Sequence, residues 1–142
     1  MDESIKAYTK ALELGGISPQ QSALATLRRG HAFYLLRKID KSLKDFESLL
    51  EHEGENSKAH FYIGKILSRN PKKQQDAILH FEQVAKISEN ELYAGNALFE
   101  IAKLRLKDKD FYEAFFNLKR AVDNNFNSKR MQLYKDFTEG VL

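Results

Sequence analysis

Small residues recur at Gly30, Gly64, Ala102 and Gly140, at intervals of 34, 38 and 38 residues. Each falls inside a stretch whose apolar residues keep a helical period, where Gly costs ~1 kcal/mol relative to Ala. A cost repeated at near-constant spacing calls for a compensating contact. Close approach of a second helix, admitted by the missing Cβ, supplies one. A second series follows twelve or thirteen residues later, at Ser42, Ala77 and Ala114. Four residues on come Phe46, Phe81 and Leu118, and three beyond those Leu49, Val84 and Ala121. Residues 1–14 hold the same row once more, as Ser4, Tyr8 and Ala11. The chain therefore alternates two kinds of helix. One carries a small residue at its middle; the other presents small, large and apolar residues down one face.

The pattern predicts eight helices and no strand. The first covers 2–14, with Ile5, Tyr8, Ala11 and Leu12 on one side, and Gly15-Gly16 stops it. Ser18, Pro19 and Gln21 read as N-cap, first-turn proline and capping box of a helix running to about Leu36. Asp40 is the expected N-cap of the third, which reaches Leu50. Further helices are predicted over 57–67, 74–87 after an Asn70-Pro71 break, 91–106, 110–122 and 128–142. Two prolines and seven glycines in 142 residues leave too few turn formers for an all-β chain.

The spacing and its residues resemble the tetratricopeptide repeat family, whose helix–turn–helix unit is 34 residues long. The family pattern is an aromatic, then Leu-Gly, then Tyr, then Ala with Phe four residues on. The first full unit here has Thr26, Arg29-Gly30, Phe33, Ser42 and Phe46; the second has His60, Ile63-Gly64, Leu67, Ala77 and Phe81; the third has Leu98, Ile101-Ala102, Arg105, Ala114 and Leu118. No unit keeps the opening aromatic, and none has the closing proline cleanly placed. The resemblance implies an all-α, right-handed superhelical solenoid of antiparallel helix pairs filling 1–142. It divides into a half unit at 1–16, full units at about 22–56, 57–90 and 91–127, and a half unit at 128–142. Both ends fall out of phase with the repeat, and Phe137, Val141 and Leu142 are not polar capping residues. The chain is therefore expected to be a segment of a longer solenoid, or to dock its last helix on something else.

The resemblance also implies that helices of the first kind line an inner surface. Along one face of each lie Leu27, Phe61, Phe99 and Phe137, with His31, Lys65, Lys103 and Val141 four residues on, and Leu24, Lys58, Asn96 and Tyr134 three residues back. Such a ladder suits a protein or peptide ligand, extended or helical, with apolar anchors and some acidic character. The expected partner-binding set is Leu27, His31, Lys58, Phe61, Lys65, Asn96, Phe99, Lys103, Tyr134 and Phe137. The alternative is that the phenylalanines pack between repeats and the lysines are ordinary solvated face. Part of this family clamps a C-terminal carboxylate of chaperones with Lys, Asn and Arg. The corresponding places read Leu27, His31, Tyr62, Asn96 and Glu100, so a chaperone tail is not the expected ligand.

Other chemistries find little support. No cysteine is present, so disulfides, thiolate nucleophiles and cysteine-held metals are ruled out. His31, His52, His60 and His80 form no H-E-x-x-H and no pair three or four apart. Gly15-Gly16 lacks the Lys-Ser/Thr of a phosphate loop, and no G-x-S-x-G occurs. The expectation is a non-enzyme with no cofactor and no metal. A net charge of +3 is a mild excess, and the Lys72-Lys73, Lys107/Lys109, Lys119-Arg120 and Lys129-Arg130 clusters are interrupted by Asp76, Asp108, Asp110 and Asp123. Nucleic acid is thus the weaker partner class. No apolar run is long enough to span a membrane, and Met1-Asp-Glu-Ser is no secretory signal, so a cytoplasmic home is expected. The reading is a non-catalytic scaffold or adaptor. Its alternatives are a structural solenoid segment in a larger complex, self-association through the C-terminal helix, or weak RNA binding.

Overall fold

The structure, a computed structural model, describes residues 2–87 and 91–123. Seven α-helices and one 3-10 turn make up the described residues, with no strand among them. They are α1 (Asp2–Leu14), α2 (Pro19–Leu35), α3 (Ile39–His52), α4 (Ser57–Leu67), α5 (Gln74–Ile87), α6 (Glu91–Lys107) and α7 (Phe111–Asp123). Each helix packs mainly on the next in the chain, and α2 also touches α4. The predicted eighth helix, with Gly140, lies outside the described residues.

Local chemistry sets the boundaries. Ser18 caps α2 by accepting from the Gln21 amide at 3.1 Å, while the Ser18 amide donates to Gln21 Oε1 at 3.0 Å, with Pro19 at the first helical position. Asn56 caps α4 through the Ala59 amide at 2.9 Å. The N-cap of α3 is Lys38, which makes no side-chain capping bond, and not Asp40, which falls in the first turn. The cause is the way α2 ends. Arg37 takes a left-handed φ of 61°, its amide donates to Tyr34 O, and the Lys38 amide reaches back to Phe33 O at 2.9 Å. That closure consumes the whole connection and starts α3 at once. Lys109 repeats it between α6 and α7, with φ 59°, its amide on Leu106 O and the Asp110 amide on Arg105 O. Arg37 and Lys109 each stand seven residues after their small residue, Gly30 and Ala102. The equivalent place in the middle pair is Pro71, whose ring forbids positive φ. There the chain makes a 3-10 turn, Pro71–Lys73, capped by Asn70. This accounts for the thirteen-residue interval from Gly64 to Ala77 against twelve in the other two pairs.

The two small-residue series meet across each pair. A Cβ built on Gly64 would lie 2.7–2.9 Å from the ring of Phe81, and one on Gly30 would lie 3.1–3.2 Å from Asp45 Cβ and the Phe46 ring. Phe46 and Phe81 are wholly buried, as are Ser42, Ala77 and Ala114. Ser42 donates to the Gly30 carbonyl at 2.8 Å. The row in α1 is different: Ser4 is exposed and Tyr8 and Ala11 are half-buried. The apolar interior falls into two clusters. One joins Phe46, Leu49, Ala59, Ile63 and Ile66. The other joins residues of α5, α6 and α7, and Leu67 of α4 packs against both. The interior is thus a row of contacts along the chain, as a stack of helix pairs requires.

One tie was not legible beforehand. Arg29 grips Asp45 with two parallel bonds, Nε to Oδ2 at 2.9 Å and Nη2 to Oδ1 at 2.7 Å. Asp45 is buried, and this contact raises the Arg29 pKa above its ordinary value against the opposing effect of burial. The remaining Nη1 donates to Thr9 Oγ1 of α1 at 3.4 Å.

Two stability outcomes follow from this geometry. Gly64→Ala lowers unfolding free energy by about 1–2 kcal/mol, overpacking against Phe81 exceeding the gain in helix propensity. Gly30→Ala costs less, and urea titrations rank the two. Arg37→Gly and Lys109→Gly each raise stability by about 0.5 kcal/mol, because release of the left-handed cost exceeds the added freedom of the unfolded chain. Thermal melts of the two variants check this.

Candidate functional site

A cavity of about 290 Å³ opens between α1, α2, α4 and α6. Ser4 and Tyr8 line it from α1, Leu27, Arg28, His31 and Ala32 from α2, Lys58 and Tyr62 from α4, and Tyr93 from α6. The three later helices are of the first kind, so alternate helices of the stack contribute to one concavity, while Gly30 and Gly64 face Phe46 and Phe81 of the helices between them. Tyr62 carries most of its ring contacts. Its ring stacks on Phe46 at 5.4 Å and 9°, and meets His31 at 5.0 Å, Tyr34 at 5.2 Å and Phe61 edge-on at 5.6 Å. Burial, then the neighbouring Tyr93 and Tyr34, raises the Tyr62 pKa, and burial raises that of Tyr93. Both hydroxyls therefore stay protonated at neutral pH and can donate. The lining residues include two cations, Arg28 and Lys58, and no carboxylate. An apolar floor with hydroxyl donors and a cationic rim suits a chain bearing an apolar side chain and an acidic group.

Leu27, His31 and Lys58, from the expected partner-binding set, come together here. The others do not. Phe99 is 3% exposed and belongs to the second core cluster, so its ring fills the space between helices and is not offered to solvent. Phe61 is half-buried against that cluster, edge-on to Phe81 at 5.7 Å and Tyr93 at 5.8 Å. Lys65 and Lys103 converge on Glu100, at 3.2 and 2.9 Å. Lys103 also lies 5.2 Å from the Phe99 ring centroid. The Glu100 that discouraged a chaperone-tail reading is thus the anchor of a two-lysine bridge between α4 and α6. Asn96 is half-buried on α6. Tyr134 and Phe137 lie outside the described residues.

Sequence reasoning missed Arg28, Tyr62, Tyr8, Ser4 and Tyr93. The signal lay one residue away. The ladder was drawn three positions before each small residue, whereas Arg28, Tyr62 and Glu100 sit two positions before. One residue turns 100° around a helix, enough to exchange an inter-helix contact for a groove wall.

The histidines form a different unit. His60 and His80 approach Nδ1 to Nδ1 at 2.9 Å across α4 and α5, and His60 Nε2 lies 2.9 Å from the Gly54 carbonyl. A carbonyl only accepts, so His60 carries its proton on Nε2 and its Nδ1 accepts from His80 Nδ1–H. Burial and the facing His60 lower the His80 pKa, and Asp76 opposes them. No group of three or more His, Cys, Asp or Glu able to hold a metal ion occurs among the described residues.

A lowered pKa means that the unfolded chain takes up the proton first. The stabilisation is whole above the unfolded value of 6.5 and is lost as pH falls through the folded value. Urea midpoints at pH 7.5 and pH 5.5 should fall further apart for the wild type than for His80→Asn, whose amide still donates to His60 but does not titrate.

No protein-family model and no curated protein sequence matches this chain, so the geometry of the cavity carries the functional reading.

Proposed function

We propose that the chain is a non-catalytic protein-interaction module of tetratricopeptide type, a cytoplasmic scaffold or adaptor. Its ligand is a peptide or partner helix held in the concave groove of α1, α2, α4 and α6. The observation that supports this most is the composition of that groove. It joins Leu27, Tyr62 and Tyr93 to Arg28 and Lys58 without a carboxylate, from three separate helices. Peptide grooves draw affinity from apolar anchors in a concave wall and orientation from a few polar groups. The family resemblance is supported by the glycine–phenylalanine contacts of the first two full pairs and by the matching left-handed turns at Arg37 and Lys109. No helix among the described residues is long and apolar enough to cross a membrane.

A specific observation favours a second reading at the α6 end. There Phe99 is buried, and Lys65 and Lys103 are engaged by Glu100. That part of the inner row serves as a structural element of the stack, and the ligand-binding stretch is confined to the α1–α4 end and Tyr93.

The decisive experiment selects peptides from a displayed random library against the whole chain and measures their affinity by titration. Arg28→Glu with Lys58→Glu is expected to weaken selected acidic peptides at least tenfold, with the circular dichroism spectrum unchanged, since both side chains are exposed. Equal affinity for wild type and double variant would remove the groove from the reading.

A further inference from the structure

A second cavity, of about 390 Å³, lies beside α1 and α2 on the α3 side and shares no lining residue with the groove. Ile5 and Thr9 of α1, Arg29 and Phe33 of α2, Lys38, and Lys41, Lys44 and Asp45 of α3 line it. Three lysines repeat at every third residue, so they form one cationic wall. Asp45, the one carboxylate in the lining, is consumed by the two-bond grip of Arg29. Glu13 of α1 acts on Arg29 from outside the lining. Lys38, Lys41 and Lys44 have no carboxylate within ion-pair distance among the described residues, whereas Lys65 and Lys103 do. The floor is apolar. Ile5 is half-buried, and Phe33 is 9% exposed with Lys41 at 5.7 Å and Arg29 at 6.0 Å from its ring centroid.

We infer that this cavity is a second docking site, for an acidic peptide segment of a partner protein, carboxylates on the lysine wall and an apolar side chain on Ile5. Charge complementarity selects the occupant. Three cations with no ion-paired carboxylate among the described residues, set around a concavity, raise the local concentration of a polyanion. The shape of the floor selects peptide over single-stranded nucleic acid. Bases need an open aromatic face to stack on, and the ring of Phe33 is buried and approached by two cations. The guanidinium fork best suited to phosphate is spent on Asp45. Lysine ammonium groups on long stems adapt to carboxylates spaced along an extended chain.

The test uses the whole chain and a fluorescein-labelled synthetic peptide of six glutamates around a central leucine, read by anisotropy. Lys38→Glu, Lys41→Glu and Lys44→Glu together leave the helix content intact, because acidic residues suit the first turns of a helix. The triple variant is expected to bind at least tenfold more weakly. The same tenfold loss is expected when the triple substitution is added to Arg28→Glu with Lys58→Glu, a background in which the groove has lost its cations, so failure of this site and failure of the groove are separable. Binding should weaken as salt rises from 50 to 500 mM, and an all-glutamate peptide should bind about threefold more weakly. Equal binding with and without the triple substitution in that background overturns the site. Equal binding of the all-glutamate peptide overturns the role of the apolar floor. Tighter binding of a single-stranded RNA decamer, abolished in the triple variant, overturns the choice of peptide.

Discussion

The stack depends on a void filled from the neighbouring helix. At Gly64 the absent side chain is replaced by the ring of Phe81, and at Gly30 by Phe46 with the Asp45 methylene. Each contact sets how near two helices of a pair can come, and a glycine–ring approach is nearer than any pair of larger side chains allows. Because the ring is wholly buried and the glycine sits mid-helix, the separation is set where it has most effect on the angle of the pair. The groove inherits that spacing. Tyr62 stacks on Phe46, so the ring that fills the space at Gly30 also supports a wall of the groove.

Much of the architecture could be read from residue order. The row of small, large and apolar residues placed Ser42, Phe46 and Leu49, and Ala77, Phe81 and Val84, in the interior, and they are buried. The limits of α1, α4 and α5 agree with those read from apolar period and caps. The start of α3 was misread because Asp40 is a good capping type, whereas the left-handed turn at Arg37 had already closed the connection. Arginine gives no compositional warning of positive φ; only its equivalence to Lys109 within the repeat does so.

The groove was legible in part. Leu27, His31 and Lys58 were found by helical spacing, and Tyr62 and Arg28 were missed by one residue. Phe61 and Phe99 show why a face drawn from period alone is ambiguous in a solenoid. A helix between two neighbours has apolar side chains on more than one side, and nothing in the spacing says which side is covered. Pairings across long sequence separations, Arg29 with Asp45 and His60 with His80, were not legible at all. They depend on the angular phase between helices, which the spacing of small residues constrains only coarsely.

The first helix stands apart energetically. None of its side chains is fully buried, and its main polar link to the rest is the long bond from Arg29 to Thr9. Elements of this kind occupy the low end of local opening free energies. Yet α1 is a wall of both cavities, Ser4 and Tyr8 on one side and Ile5 and Thr9 on the other. Undocking this one helix removes a wall from both recesses together. Any occupant of one recess that holds the helix down preforms the other by the same amount, a reciprocity that thermodynamic linkage imposes without any change in the other described helices.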